Sequence, residues 1–284
     1  MDEQTHNRLE PGSFVLKYKR SDSQSYWHHA HRGIEMLYIY EGGGEIWVDN
    51  RTFPIEDHSL VWFQPYQLHR VSVPARPNRA YVRTNLTFDP QFVVRYLAPF
   101  PDLERFFRLL WNGHLQRQYF PSLQVFPLAG LLQELHDAAE GASSSREEEV
   151  GLLMLSLLRL LKKHLFTREA DAEDIPSRAR SHSEKIAEWL DAHYKRPFKL
   201  EELASSLHLS PYHVSHVFKK STGMTPSDYL TRRRIREACA LLANTSLPVA
   251  EIASQLGGLS SSYFCQMFKK AKGVSPDQYR KSIR

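Results

Sequence analysis

Four residues near the amino end have the types and spacing of a ligand or metal site: His29, His31, Glu35 and, further on, His69. On a strand, side chains alternate, so His29 and His31 would share one face. Glu35 from the next segment and His69 from a later strand would complete a cluster inside a small barrel. Three imidazoles and one carboxylate suit Zn, Mn, Fe or Ni. They are equally a set of polar groups able to satisfy one another. No other acid/base pair or nucleophile constellation stands out.

The second chemistry-bearing feature is an internal repeat. Phe218, Lys219, Lys220, Gly223, Pro226 and Tyr229 return fifty positions later as Phe268, Lys269, Lys270, Gly273, Pro276 and Tyr279. Upstream, Glu202-Leu-Ala-Ser matches Glu251-Ile-Ala-Ser at a spacing of forty-nine, so the second copy gains one residue in its turn. Each copy reads as helix, tight turn, helix. In the first, Ser210 caps the second helix and Pro211 takes its first position, where a missing N–H costs nothing. Val214, Val217 and Phe218 should be buried, leaving Tyr212, Ser215, His216 and Lys219 on the opposite side. The second copy should bury Phe264, Met267 and Phe268 and present Ser261, Ser262, Gln266 and Lys269, with Tyr263 and Cys265 at the margin. An apolar face for the domain and a polar face for the major groove is what a recognition helix needs. A connector helix from Pro226 to Leu242 would hold two such helices at successive major-groove visits about 34 Å apart. Of the arginines in Thr231-Arg-Arg-Arg-Ile-Arg, at least one should be a surface charge away from DNA. The alternative is a plain bundle with duplicated packing.

The elements that must position these groups follow from periodicity. From Phe14 to about Phe88 the chain is rich in β-branched and aromatic runs separated by turn residues, the pattern of a β-sandwich or small barrel. After residue 90 the period becomes helical: Leu128, Leu131, Leu132 and Leu135 fall three or four apart, as do Leu153, Leu157, Leu160 and Leu161. The second of these helices has more leucine than one stripe needs, so it either packs on a dimer partner or covers the barrel. Residues 167–183 are charged, broken by Pro176, and read as a linker.

Charge divides the same way. Residues 183–284 hold 16 Lys+Arg against 9 Asp+Glu, a net of +7, whereas residues 1–182 hold 21 against 23, a net of −2. A basic domain beside a near-neutral one implies that one end meets a polyanion. The two cysteines, Cys239 and Cys265, argue against a secreted disulfide scaffold. A polar amino end without a signal-peptide core, and a longest apolar stretch broken by Arg159, Lys162, Lys163 and His164, point to a cytoplasmic protein with no membrane partner.

Residues 184–284 resemble the AraC/XylS-type transcription regulators in the pattern Ile252-Ala-x-x-x-Gly257, then Ser262-Tyr-Phe-x-x-x-Phe-Lys-Lys-x-x-Gly-x-Ser-Pro-x-x-Tyr-Arg280. The resemblance implies seven helices with two helix-turn-helix units in adjacent major grooves, and base-reading positions at Tyr212, Ser215, His216, Ser262, Tyr263 and Gln266. Lys219 and Lys269 are the accompanying backbone contacts. One departure, Gly258 where an aromatic residue is usual, implies a looser second turn. The amino-terminal constellation resembles the cupin pattern His-x-His-x3-Glu-x6-Gly, although Pro65 and His69 lie one residue closer than usual and the intervening glycine is absent. Cupin-like sensors of this kind imply His29, His31, Glu35 and His69 as ligand-binding residues, with Trp27, Tyr38, Trp47 and Trp62 as stacking walls. The same four polar residues are the candidate ligands of a divalent metal, although no cofactor is required.

The expected fold class is therefore α+β in two domains. A cupin-like β-barrel with flanking helices (10–166) precedes the linker (167–183) and an all-α domain (184–284) with helix-turn-helix units at about 201–222 and 249–272. The expected function is DNA-binding transcription regulation, as an activator controlled by a small polar effector such as a sugar. Expected partners are double-stranded DNA, the effector, RNA polymerase and a second copy in a homodimer. The competing readings are a metal-dependent cupin enzyme fused to a DNA reader, and an RNA-binding or architectural protein.

Overall fold

The computed structural model describes residues 9, 12–22, 25–48, 51–75, 79–124, 127–141, 145–167 and 178–283, with the side chains of 25–29 outside the description. It divides into two compact units, one running Leu9–Ala179 and the other taking in Arg180–Arg284.

The first unit opens with eight strands: β1 (Phe14–Asp22), β2 (Ser25–His29), β3 (Ile34–Glu41), β4 (Gly44–Val48), β5 (Arg51–Ile55), β6 (Ser59–Phe63), β7 (His69–Val73) and β8 (Tyr81–Phe88). Helices α1 (Pro90–Leu97) and α2 (Pro101–Asn112), the short β9 (Tyr119–Phe120), α3 (Leu128–Glu140) and α4 (Arg146–His164) follow. The strands form two antiparallel sheets, ordered β1-β8-β3-β6-β9 and β2-β7-β4-β5. The expected barrel thus takes the form of two facing sheets.

Alternation along β3 shows how they are covered. Ile34, Met36 and Tyr38 join a core with α1–α4, whereas Leu37 and Ile39 pack with Ile46, Val48, Val71 and Val73 of the second sheet. A strand covered on both faces reads as a continuous buried run, and Ile34 to Ile39 are all buried. The leucines of α4 are shared: Leu157, Leu158 and Leu161 are buried in the helix-facing core, while Leu152 is 60% exposed.

The second unit is all-α among its described residues: α5 (His182–His193), α6 (Leu200–Ser206), α7 (Pro211–Thr222), α8 (Pro226–Asn244), α9 (Val249–Gln255), α10 (Ser261–Lys272) and α11 (Pro276–Ile283). Ser181 forms a capping box with Glu184, so α5 starts inside the segment expected as linker. Residues 168–177 of that segment lie outside the described residues.

Candidate functional site

The repeat is repeated in three dimensions. Ser210 accepts from the His213 N–H at 3.1 Å and Ser260 from the Tyr263 N–H at 3.3 Å, so both second helices start on the same cap. Both end on a left-handed glycine, Gly223 and Gly273. The Phe218 and Tyr229 rings meet edge to face at 5.5 Å, as do Phe268 and Tyr279. Each pair pins its second helix to the helix that follows.

Burial divides α7 and α10 as their sequences require. Val214 and Phe218 are buried in α7, and Phe264, Met267 and Phe268 in α10; Val217, expected buried, is half-buried. On the opposite faces Tyr212, His216, Lys219, Ser262, Tyr263, Gln266 and Lys269 are exposed and Ser215 is half-buried. Tyr212 is 78% exposed and stacks on His216 at 5.8 Å. Tyr263, expected at the margin, is 56% exposed. The connector α8 has 19 residues, which at ~1.5 Å per residue makes a rod of about 28 Å.

Two connector arginines are structural. Arg233 lies over the Tyr194 ring at 4.0 Å and pairs with Asp191 and Glu237. Arg234 is buried and donates to the backbone carbonyls of Tyr194 (2.9 Å) and Arg196 (2.6 Å). This guanidinium fills the space beside Gly257 in the second turn, whereas a Cβ at the neighbouring Gly258 would meet only Pro197 Cγ at 3.9 Å. The extra residue of the second copy is absorbed there: the Leu209 N–H closes on the Ala204 carbonyl, and the Leu259 N–H closes on the Ala253 carbonyl one residue later. Gly257 sits at φ +107°, and a Cβ there would lie 2.2 Å from Arg234 Nη2 and 3.0 Å from the Arg196 carbonyl oxygen. Gly257→Ala should accordingly lower the stability of this unit by about 1–3 kcal/mol through backbone strain and displacement of Arg234; thermal unfolding checks it.

In the first unit, His31, Glu35 and His69 converge, their ligand atoms within 4.8 Å of one another and all three residues buried. His31 Nδ1 donates to the Gly33 carbonyl at 3.0 Å and His69 Nδ1 to the Gln67 carbonyl at 2.9 Å. A carbonyl only accepts, so each ring turns its Nε2 toward the carboxylate. His31 Nε2 is 2.6 Å from Glu35 Oε2, and His69 Nε2 is 3.6 Å away. The His69 ring is stacked on Phe63 at 3.9 Å. Asn85 Nδ2 donates to the other Glu35 oxygen at 2.6 Å.

Several expected positions are corrected. His31 is not on a strand with His29: β2 ends at His29, and His31 lies in the crossing to β3, where its carbonyl accepts from the Tyr66 N–H at 2.7 Å. His29 is the register partner of His69, while its side chain and that of Trp27 lie outside the described residues. Tyr38 and Trp62 do not wall the site. Both belong to the helix-facing core, the opposite face of the sheet from Glu35, with Trp62 Nε1 bonded to the Leu110 carbonyl and the Tyr38 hydroxyl to His58 Nδ1. The period of two decides this, since Met36 and Tyr38 alternate with Glu35 and Leu37. Trp47 is likewise displaced: Ile46 and Val48 face the sandwich, so Trp47 lies on the outer face of its sheet.

Sequence reasoning missed three interior groups, Lys17, Asn85 and Arg83. Lys17 and Asn85 are register partners across β1 and β8 on the Glu35 face. Burial holds the Lys17 ammonium down to about 7; the charge of Glu35 opposes this and those of Arg83 and Arg20 add to it. Arg83 bonds Asp22 at 2.5 Å and lies over the Tyr81 ring.

Residues 11–158 match the family described as AraC-like ligand binding domain, and residues 203–282 match a helix-turn-helix domain. The regulatory protein PocR of Salmonella typhimurium is 32% identical over 163 residues, covering 54% of this chain and 54% of PocR. The regulator YisR of Bacillus subtilis is 31% identical over 140 residues, covering 49% and 48%. The chain thus spans about half the length of these two curated relatives. The transcriptional activator RhaR of Salmonella schwarzengrund is 25% identical over 256 residues, covering 89% of this chain and 86% of RhaR. Among solved structures, apo ToxT of Vibrio cholerae shares the fold at 15% identity and a TM-score of 0.53, covering 98% of this chain and 100% of that one. An AraC-like ligand-binding region matched over half of the chain, followed by two helix-turn-helix units on one connector, makes this chain a member of the AraC family of transcription regulators.

Proposed function

We propose that this chain is a sequence-specific, double-stranded-DNA-binding activator whose hold on DNA changes when a small polar effector occupies the interior beside Glu35. The observation that carries the DNA reading is the pair of matched recognition helices with buried aromatic inner faces and exposed polar outer ones. Tyr212, Ser215, His216, Ser262, Tyr263 and Gln266 are the base-reading groups, and Lys219 and Lys269 the phosphate contacts. The activator reading draws on RhaR, which is named as one. Further partners are RNA polymerase and, through α4 with its exposed Leu152, a second copy of the chain. The setting is the cytoplasm, where DNA is; none of the described helices is long and apolar enough to cross a membrane.

Footprinting on genomic fragments tests the reading: two protected segments about one helical turn apart are expected, and no protected duplex site would refute it. His216→Ala and Gln266→Ala should each lower discrimination between sites by about 1–3 kcal/mol. Lys219→Ala and Lys269→Ala should weaken binding to all sequences and reduce the salt slope by about one. Retardation assays across a salt series separate the two outcomes.

A metal reading is favoured by one feature. Both imidazoles have Nδ1 tied to a carbonyl and Nε2 aimed at the carboxylate, the outer-shell arrangement usual for metal-bound histidine. His31 Nε2, His69 Nε2 and Glu35 Oε2 would hold a divalent ion, which would supply a positive centre for orienting an effector oxygen. Elemental analysis of the purified chain should then show about one ion per chain, lost in Glu35→Gln. Metal below one-tenth of stoichiometry under added Zn or Mn would leave the three residues as effector contacts.

A further inference from the structure

The two recognition helices are joined by α8, and a second tie runs beside that rod. At its start α5 meets α7, where the His182 and His213 rings lie edge to face at 5.6 Å. At its end Tyr194, the C-cap of α5, packs on the core that holds Ile252, Phe264 and Phe268 of the second helix pair. One helix thus touches both halves. Arg234 of α8 stands where this tie reaches the second turn. Its Nε donates to the Tyr194 carbonyl, one of the acceptors that a helix end leaves unpaired, and its Nη2 to the Arg196 carbonyl. The guanidinium occupies the space that a side chain at Gly257 would take. A flat, forked cation can bond two carbonyls and still lie against a glycine, whereas a lysine ammonium has neither fork nor flat face. The first copy lacks this arrangement: the position matching Gly257 is His208, an exposed residue at φ +56°. The two copies share caps, left-handed end glycines and ring pairs, so the difference is local to this joint.

We propose that Arg234 is a positioning residue for DNA recognition: by fastening the end of α5 to the turn of the second helix pair, it fixes the angle between α7 and α10 and hence the half-site spacing that the protein accepts. The assignment rests on reading α7 and α10 as the DNA-reading helices. Arg234 is itself buried and acts through the turn that leads into α10. Small errors matter at this joint. A tilt of about 10° at one end of a rod of about 28 Å moves the other end by about 5 Å, more than the ~3.4 Å step between base pairs. With α8 alone, α10 could rock by that much on the packing of its apolar face. The two hydrogen bonds of Arg234 are directional, and they cross from the α5 side of the joint to the turn, so they resist that tilt. Arg233, one residue earlier, braces the same end of α5 by lying over the Tyr194 ring and pairing with Asp191.

The test uses the full chain as wild type, Arg234→Lys and Gly257→Ala, the second of which displaces the guanidinium without removing it. The duplexes are a fragment protected in footprinting and two copies of it, with one base pair inserted or removed between the protected segments. Wild type should bind the altered spacings about tenfold more weakly than the original, whereas each variant should lose less than about threefold. Single-base changes inside either segment should cost wild type and variants the same factor, a result that a general loss of stability would not give. In the absence of DNA, spin labels at Lys220→Cys and Lys270→Cys report the separation of α7 and α10, with Cys265→Ser leaving only the buried Cys239. That separation should be broader or shifted in Arg234→Lys. Equal spacing penalties in wild type and folded variants overturn the proposal, as does an unchanged label separation. A second unit that no longer folds in Arg234→Lys would make the residue an element of stability and overturn its positioning role. If wild type binds no duplex, the DNA reading fails and the spacing role with it, whereas bound duplexes with unaltered spacing penalties sink the proposal alone.

Discussion

Phe268→Ala should destabilise the second unit by about 3–5 kcal/mol, the range for removing a fully buried phenylalanine. Phe268 is completely buried, with the Phe264 ring at 5.9 Å and the Tyr279 ring at 5.5 Å. Its loss empties the junction where α10 meets α11 and α8. A unit of ordinary stability has about 5–15 kcal/mol to lose, so retardation of DNA should weaken although no group on the exposed polar side is touched. Because the repeat reproduces the geometry, Phe218→Ala should behave alike on the first helix pair. Tyr263→Ala gives the contrast: an exposed side chain should change stability by less than about 0.5 kcal/mol yet weaken DNA binding. Denaturant unfolding read beside retardation distinguishes these results. A large stability loss from Tyr263→Ala, or none from Phe268→Ala, would mean that the faces have been assigned the wrong way round.

Lys17→Met should stabilise the first unit by about 1–3 kcal/mol at pH 6–7, the range for relieving an unpaired buried polar group. The sign follows from proton linkage. In the unfolded chain Lys17 stays charged up to its ordinary value of 10.5, whereas in the folded chain burial lowers it to about 7. Below pH 7 both states carry the proton and the folded state bears the whole cost of a buried ammonium. Between about 7 and 10.5 the unfolded chain binds more protons, so wild-type stability rises with pH over that window. The advantage of Lys17→Met should therefore shrink from pH 7 toward pH 10. Unfolding of both proteins at pH 6, 8 and 10 checks the trend. A variant that is less stable at every pH would show that Lys17 is satisfied in the folded chain.

Much of the second unit was legible because its determinants are local. Caps, left-handed glycines and a helical period sit within a few residues of what they control, and a repeat doubles each signal. The two helix pairs run Leu200–Thr222 and Val249–Lys272, where the sequence led one to expect helix-turn-helix units at about 201–222 and 249–272. Val217 shows the limit of such reading, since a residue at the edge of an apolar stripe is covered only as far as the neighbouring helix reaches. Arg234 could not have been found that way. Its partners are backbone carbonyls forty and thirty-eight residues earlier, and nothing in a run of arginines distinguishes the buried one.

In the first unit the sequence by itself pointed to a strand-rich region ending near Phe88 and a polar set at His29, His31, Glu35 and His69, of which the described side chains bring together the last three. Only the tertiary structure decided which way the strands face. Period-two alternation sorts residues into two sets without saying which set meets the helices and which meets the second sheet. Phe14, Leu16 and Tyr18 lie on the helix-facing side of β1, so Lys17 between them reads as a solvent residue until the second sheet closes over it. Tyr38, Trp47 and Trp62 were misplaced for the same reason. Side-chain chemistry and spacing are properties of the chain, whereas burial of a given strand face depends on partners far away in sequence.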